Sequence, residues 1–256
     1  MSLLRCFFQL FWIGICAVAM LLQTALLLGS SLPSAWLLGF VGAATVFGYQ
    51  LEGRPALRGP AWALGVCAAV CFFYLPPGRQ LSVVLPAVVW LLYYDRYRPG
   101  LGTGLRRFPL LKPLAIALAW AGVTVLLPLP PEHWPPAALL FLGRSAFIFA
   151  LALAYDLCDQ PDDQRAGLDT LVLRLGPTRS RRLIYAAFGA AAACALAQFG
   201  LRIYTCQATL ALLVSLALSA VLIRPFTEQL AWGGWRKTWI DSLMFVQFVF
   251  VWLIGR

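Results

Sequence analysis

The residues best suited to chemistry form one polar stretch, Tyr155-Asp156-Leu157-Cys158-Asp159-Gln160-Pro161-Asp162-Asp163-Gln164-Arg165-Ala166-Gly167-Leu168-Asp169-Thr170-Leu171. It holds five of the ten acidic residues of a 256-residue chain that is 61% hydrophobic. An apolar run, Ala146 to Ala154, leads directly into it, so the first carboxylates stand where a membrane helix meets water. Carboxylates are costly beside hydrocarbon, and those found there by default mark a functional site. Asp156, Asp159 and Asp163 fall at i, i+3 and i+7, which places them on one face of a continuing helix. Pro161 predicts a bend or a fresh helical start between the second and third. Like charges so placed repel unless a cation sits among them. An all-oxygen ligand set suits a hard divalent ion, magnesium above all. A loop of solvated charges paired with nearby arginines is the other reading, and spacing alone leaves both open. An EF-hand is excluded, because neither Asp156 nor Asp159 opens a loop with the required Gly and closing Glu.

The elements that must hold these carboxylates are apolar helices. A mean hydropathy of +0.80, 12% charged residues and several long apolar runs read as a polytopic membrane protein. Hydropathy divides the chain into about nine spans, at 6–28, 33–51, 61–76, 80–95, 112–129, 136–156, 183–200, 204–223 and 239–255. Helices are expected, since backbone groups in lipid must be satisfied within the segment. The first run is too long for a signal-peptide core and is read as the first span. Residues 1–256 are read as a single polytopic membrane domain. The seven cysteines lie mostly inside apolar runs and are read as packing residues. His133 is the only histidine and sits in a proline-rich turn, which argues against histidine catalysis or histidine-ligated haem or copper.

Sixteen of the twenty Lys and Arg residues fall at the N-terminus or in the loops after even-numbered spans. Arg79, Arg202 and Arg256 fall opposite, and Arg144 lies inside span six. This asymmetry predicts a cytoplasmic N-terminus, in a bacterial inner (plasma) membrane or its organelle equivalent. The net charge of +10 follows from topology and anionic headgroups, and requires no nucleic acid. The acidic stretch shares its side with most of these arginines. Carboxylates holding a divalent cation beside guanidinium groups are what a diphosphate requires. The metal draws off charge as the leaving group departs, and a buried site keeps water from the reactive carbon.

Asp156-x-x-Asp159-x-x-x-Asp163-x-x-x-Gly167-x-x-Thr170-Leu171, then Leu175-Gly176, resembles the second aspartate-rich motif of the UbiA superfamily of intramembrane prenyltransferases. Tyr93-Tyr94 followed by Arg106-Arg107-Phe108-Pro109 and Lys112-Pro113 resembles the Tyr…Lys/Arg loop after the family's fourth helix. Asp241-Ser242-Leu243-Met244 resembles the start of its last helix. The resemblance implies an all-α membrane protein, about nine transmembrane helices in one UbiA-like bundle around a central cavity. It implies magnesium held by two aspartate-rich motifs, here Asp156, Asp159 and Asp163 for the second. It also implies transfer of an isoprenoid chain from a polyprenyl diphosphate to a lipophilic acceptor. Tyr93, Arg106, Arg107 and Lys112 are then expected to hold the diphosphate.

The first motif departs from the family's Asn-x-x-x-Asp. Gln50 stands for the Asn and Arg54 for the Asp. A glutamine carbonyl can ligate a hard cation, whereas an arginine repels one. Either Arg54 pairs with the diphosphate directly, facing the site with Gln50 at i and i+4, or the chain retains only isoprenoid binding. Preserved transfer is the preferred reading because the second motif is intact. The alternative is a catalytically lapsed relative that binds isoprenoid lipid or serves as an assembly partner. A transporter is disfavoured, since no pair of matching interrupted helices divides the chain into two related halves. Arg144 is read first as structural and second as a contact to an acceptor headgroup. Tyr49, Tyr93, Tyr94 and Tyr155 serve equally as interfacial aromatics or as faces for an allylic cation.

Overall fold

Helix follows helix through the computed structural model, which describes residues 3–52, 58–93, 108–129, 133–165, 167–228 and 235–255. Among the described residues there are nine α-helices and no strands. They are α1 (Leu3–Leu27), α2 (Ala35–Glu52), α3 (Arg58–Phe73), α4 (Pro77–Tyr93), α5 (Leu111–Ala121), α6 (Trp134–Arg165), α7 (Leu171–Gly200), α8 (Cys206–Glu228) and α9 (Arg236–Ile254). A π-turn, Gly122–Leu126, extends α5. In the described residues α1 (from Phe8), α6 (from Ala137), α7, α8 and α9 are long and apolar enough to cross a bilayer. The apolar parts of α2 and α3, and α5 with its π-turn, are shorter. α6 packs along α7 and α5, α1 along α9 and α2, and α3 chiefly on α2. Close crossings use small residues. A Cβ on Gly14 would meet Val46 at 2.6 Å and the Gly42 carbonyl at 3.2 Å, so glycine sets the α1–α2 approach.

α6 carries the carboxylates and has 32 residues. At about 1.5 Å per residue it is roughly 48 Å long, well beyond the ~30 Å of bilayer hydrocarbon. Its last turns therefore project into the interface. The expected break at Pro161 does not occur, and the helix runs on to Arg165. Pro161 lacks the N–H that would bond the Leu157 carbonyl, yet helix continues for four residues beyond it. All three aspartates thus ride on one helix. Gly167, at φ 66°, closes it, with Leu168 N–H donating to Asp163 O at 3.0 Å and Gly167 N–H to Gln164 O at 3.2 Å. This is a glycine C-cap. Thr170 then caps α7, its Oγ1 accepting from Leu173 N–H at 3.4 Å. Gly167 and Thr170 of the motif are thus chain-reversal chemistry rather than ligands. α7 begins at Leu171, well before the apolar run at 183, and bends at Gly176, φ 75°. Pro177 disfavours helical backbone at the residue before it, and glycine accepts the left-handed conformation.

The π-turn anchors the opposite end of the bundle core. Leu127 N–H reaches back to Gly122 O at 3.0 Å, and Thr124 O accepts from Thr24 Oγ1 of α1 at 2.7 Å. Arg144 of α6 enters this knot from the side, only 3% exposed. It donates to Met20 O at 3.0 Å, Thr124 Oγ1 at 3.2 Å and Gln23 Oε1 at 2.7 Å. The guanidinium thus binds α1 and the π-turn to α6 through neutral acceptors. Arg144→Met would remove three buried hydrogen bonds and leave Gln23 Oε1 without its donor, a loss of about 1–3 kcal/mol for an unpaired buried acceptor. The variant is expected to melt clearly below the parent in detergent, and an unchanged melting temperature would show that the knot contributes nothing.

Candidate functional site

Asp156, Asp159 and Asp163 project from the end of α6 into a cluster closed by two other helices. Asp156 is 3% exposed and accepts from Lys112 Nζ, at the start of α5, at 2.5 Å. Asp159 receives Lys237 Nζ, from the first turn of α9, at 2.6 Å on Oδ1 and 2.8 Å on Oδ2. Asp163 is half-buried, and its Oδ2 has no hydrogen-bond partner among the described residues. It lies within electrostatic range of both lysines and both other aspartates. The mutual repulsion read from the spacing is therefore relieved by two ammonium groups. Asp162 and Asp169 point elsewhere: Asp162 pairs with Arg165 at 3.0 Å and Asp169 with Arg174. That exposed Arg174 guanidinium, hydrogen-bonded to the carboxylate, holds Asp169 below the usual carboxylate range.

Gln50 lies at the same end, in the last turn of α2. It is fully buried, at 0% exposure, and neither amide atom has a partner among the described residues. Buried polar atoms of this kind are uncommon and call for a ligand, water or ion. Arg54, Arg106 and Arg107 lie outside the described residues, as does the side chain of Tyr93. Arg144 is held in the α1–π-turn knot, 12 residues before Asp156 and so roughly 18 Å along α6. It does not join the aspartates.

Tyr155, Asp241 and Lys237 complete the wall. Tyr155 donates its hydroxyl to Lys237 O at 3.0 Å and lies within hydrogen-bonding reach of Asp241. Asp241, on α9, is buried, and its backbone carbonyl accepts from Cys16 Sγ at 3.3 Å. Trp12 Nε1 donates to Ser242 Oγ at 2.9 Å, stitching α1 to α9 beside it. Lys237 had been visible only as one basic residue among many. The signal that could have marked it is composition: Lys112 and Lys237 are the only lysines in the chain.

Below the cluster lies an apolar cavity of about 370 Å³ between α1, α2, α4 and α5. Phe40, Val41, Tyr49, Ile116 and Trp120 are among its lining residues. Ile116 stands one helical turn after Lys112, so the cavity begins one turn from the Lys112–Asp156 pair. Tyr49, at its upper rim, is close enough to act electrostatically on Tyr155. The volume falls within the range of small-molecule sites.

Among the described residues no three His, Cys, Asp or Glu side chains are close enough to form a ready metal cage. The donor chemistry nevertheless fits a hard cation: carboxylate oxygens on one helix face, one of them buried and unpartnered, with an unpartnered buried amide at the same end. Ammonium groups occupy Asp156 and Asp159.

A profile described as the UbiA prenyltransferase family matches residues 54–249, about three quarters of the chain. A solved structure of digeranylgeranylglyceryl phosphate synthase superposes with a TM-score of 0.60 at 13% identity, covering 100% of this chain and 99% of that one. At this identity the likeness concerns the fold. A search of curated proteins finds no match.

The Lys112–Asp156 pair yields a direct expectation. Lys112→Met leaves a buried carboxylate without this counter-charge and should destabilise the protein by about 3–5 kcal/mol. Adding Asp156→Leu should recover most of that loss in a double-mutant cycle of detergent unfolding. Additive losses would show that the two groups do not interact.

Proposed function

The chain belongs to the UbiA prenyltransferase family, and we propose that it moves an isoprenoid chain from a polyprenyl diphosphate to an aromatic or other lipophilic acceptor. With five helices long and apolar enough to span a bilayer among the described residues, it is a multi-pass integral membrane protein. The observation that carries the reading is the charged cluster of Lys112, Lys237 and three aspartates set one turn above an apolar cavity. A polar head and a long apolar tail need that juxtaposition. We place the cluster at the cytoplasmic face of a bacterial-type inner membrane, on the basic-residue asymmetry.

Magnesium held by Asp156, Asp159 and Asp163 would neutralise charge on the diphosphate as it departs. Lys112 would orient that group through charge-assisted hydrogen bonds, and Gln50 would offer its buried amide to a phosphate oxygen or to the ion. Arg54, Arg106 and Arg107 supply further guanidinium groups near this end in sequence, and Tyr93 closes the same loop. The bond between isoprenoid C1 and the diphosphate oxygen breaks with its electron pair leaving on oxygen. The allylic carbon then bonds to the acceptor, and the acceptor gives up a proton. Tyr49 and Tyr155 would present aromatic faces to the positive carbon. Apolar walls keep water from it, which favours transfer over hydrolysis.

A catalytically lapsed isoprenoid binder is the second reading, favoured by Gln50 and Arg54 in place of the family's Asn and Asp. Release of diphosphate from farnesyl or geranylgeranyl diphosphate, with magnesium and a panel of lipophilic acceptors, separates the two. The parent should turn over, and Asp159→Ala should slow it by about a hundredfold or more, since metal assistance supplies several kcal/mol. Binding without turnover would select the lapsed reading. Equal rates in parent and Asp159→Ala would remove the aspartates from the mechanism.

A further inference from the structure

The chain carries twenty basic residues, and eighteen of them are arginines. The two lysines both end on motif aspartates, Lys112 on Asp156 and Lys237 on Asp159. The difference in chemistry matters. A guanidinium grips a carboxylate with a rigid fork, whereas an ammonium is a compact charge on a flexible stem with three rotatable donors. A lysine can leave a carboxylate for a phosphate oxygen without loss of hydrogen-bond geometry.

The two pairs are not equivalent. The Lys112 and Asp156 side chains are 15% and 5% exposed, while those of Lys237 and Asp159 are 37% and 32% exposed. Lys237 is thus the less confined of the two. Its backbone is fixed, because Tyr155 donates to its carbonyl, and its Nζ stands 6.0 Å from the Tyr155 ring centroid. A fixed Cα with a less enclosed ammonium suits a group that changes partner. Among the described residues the three motif carboxylates face two ammonium groups, one negative charge in excess, which welcomes a divalent ion and repels a diphosphate. Freeing Lys237 answers both demands: Asp159 becomes available to the ion and a positive charge becomes available to the phosphate.

We propose that Lys237 is a second phosphate-binding cation of the donor site, exchanging Asp159 for the diphosphate when donor and magnesium arrive. This rests on the prenyltransferase reading above. A pair that merely braced α9 against α6 would behave differently.

The test uses the full chain purified in detergent, with farnesyl thiodiphosphate and magnesium as the probe. Equilibrium binding and melting temperature are measured for the parent, Lys237→Gln and Lys237→Arg. Acetylation of Lys237 in the parent is followed by mass spectrometry with and without the probe. Lys237→Gln should weaken binding about tenfold or more, the size of one lost hydrogen bond to a charged group. Lys237→Arg keeps the charge but grips Asp159 through its fork, so it should recover only part of that loss, and the probe should protect Lys237 of the parent from acetylation. Binding by Lys237→Gln equal to the parent's, or acetylation unchanged by a probe that binds, overturns the assignment and leaves the donor site standing. If Lys237→Gln does not fold, Lys237→Arg and the labelling of the parent decide. Absence of binding by the parent itself defeats the prenyltransferase reading, and this inference with it.

Discussion

Carboxylates at the edge of a hydrocarbon layer need a counter-charge, and the rest of the structure follows from how this chain supplies one. Solvation cannot do it for Asp156, which is 3% exposed. Two ammonium groups arrive instead from α5 and α9, two helices that also pack on α6. The arrangement explains why α6 must be long. Only a helix that outruns the bilayer can hold three aspartates in one continuous face above the membrane core. The Lys237–Asp159 pair is about one third exposed, and an ammonium–carboxylate pair at such a site is of modest strength.

The far end of the bundle solves a buried-charge problem by the opposite device. Arg144 meets no carboxylate in its hydrogen bonds; its three partners are two helical side chains and a backbone carbonyl. The π-turn widens the helical ladder at Thr124, freeing its carbonyl for Thr24 and presenting its hydroxyl to the guanidinium. The result is a hydrogen-bonded joint of α1, α5 and α6 at one end and a charged cluster at the other.

Much of this was legible in sequence. The i, i+3, i+7 aspartates do share one helix face, because their spacing matches the helical period whatever follows. Hydropathy located the apolar cores of the helices well. It failed at ends where charge and helix coexist: α7 starts at Leu171 because Thr170 caps it, and the run of arginines that follows carries no hydropathic signal. Pro161 does not start a fresh helix, since α6 carries it and runs on to Arg165. The family resemblance drew on Gly167 and Thr170, whose roles prove to be caps. The lysines were legible as charges but not as partners, since 44 residues separate Lys112 from Asp156 and 78 separate Lys237 from Asp159. Only the bundle brings them together. Asp241 was visible as the start of a helix, and its contact with Tyr155 belongs to the packing of α9 on α6.

The central claim is that the aspartate–lysine cluster is a donor site whose pairs open on loading. The measurement that tests it most directly is an experimental structure of the protein with farnesyl thiodiphosphate and magnesium. The diphosphate should lie between Lys112 and Lys237, with the ion on the aspartates and the tail in the cavity beside Tyr49 and Trp120. A diphosphate bound away from α6, with both lysine–aspartate pairs unchanged, would contradict it.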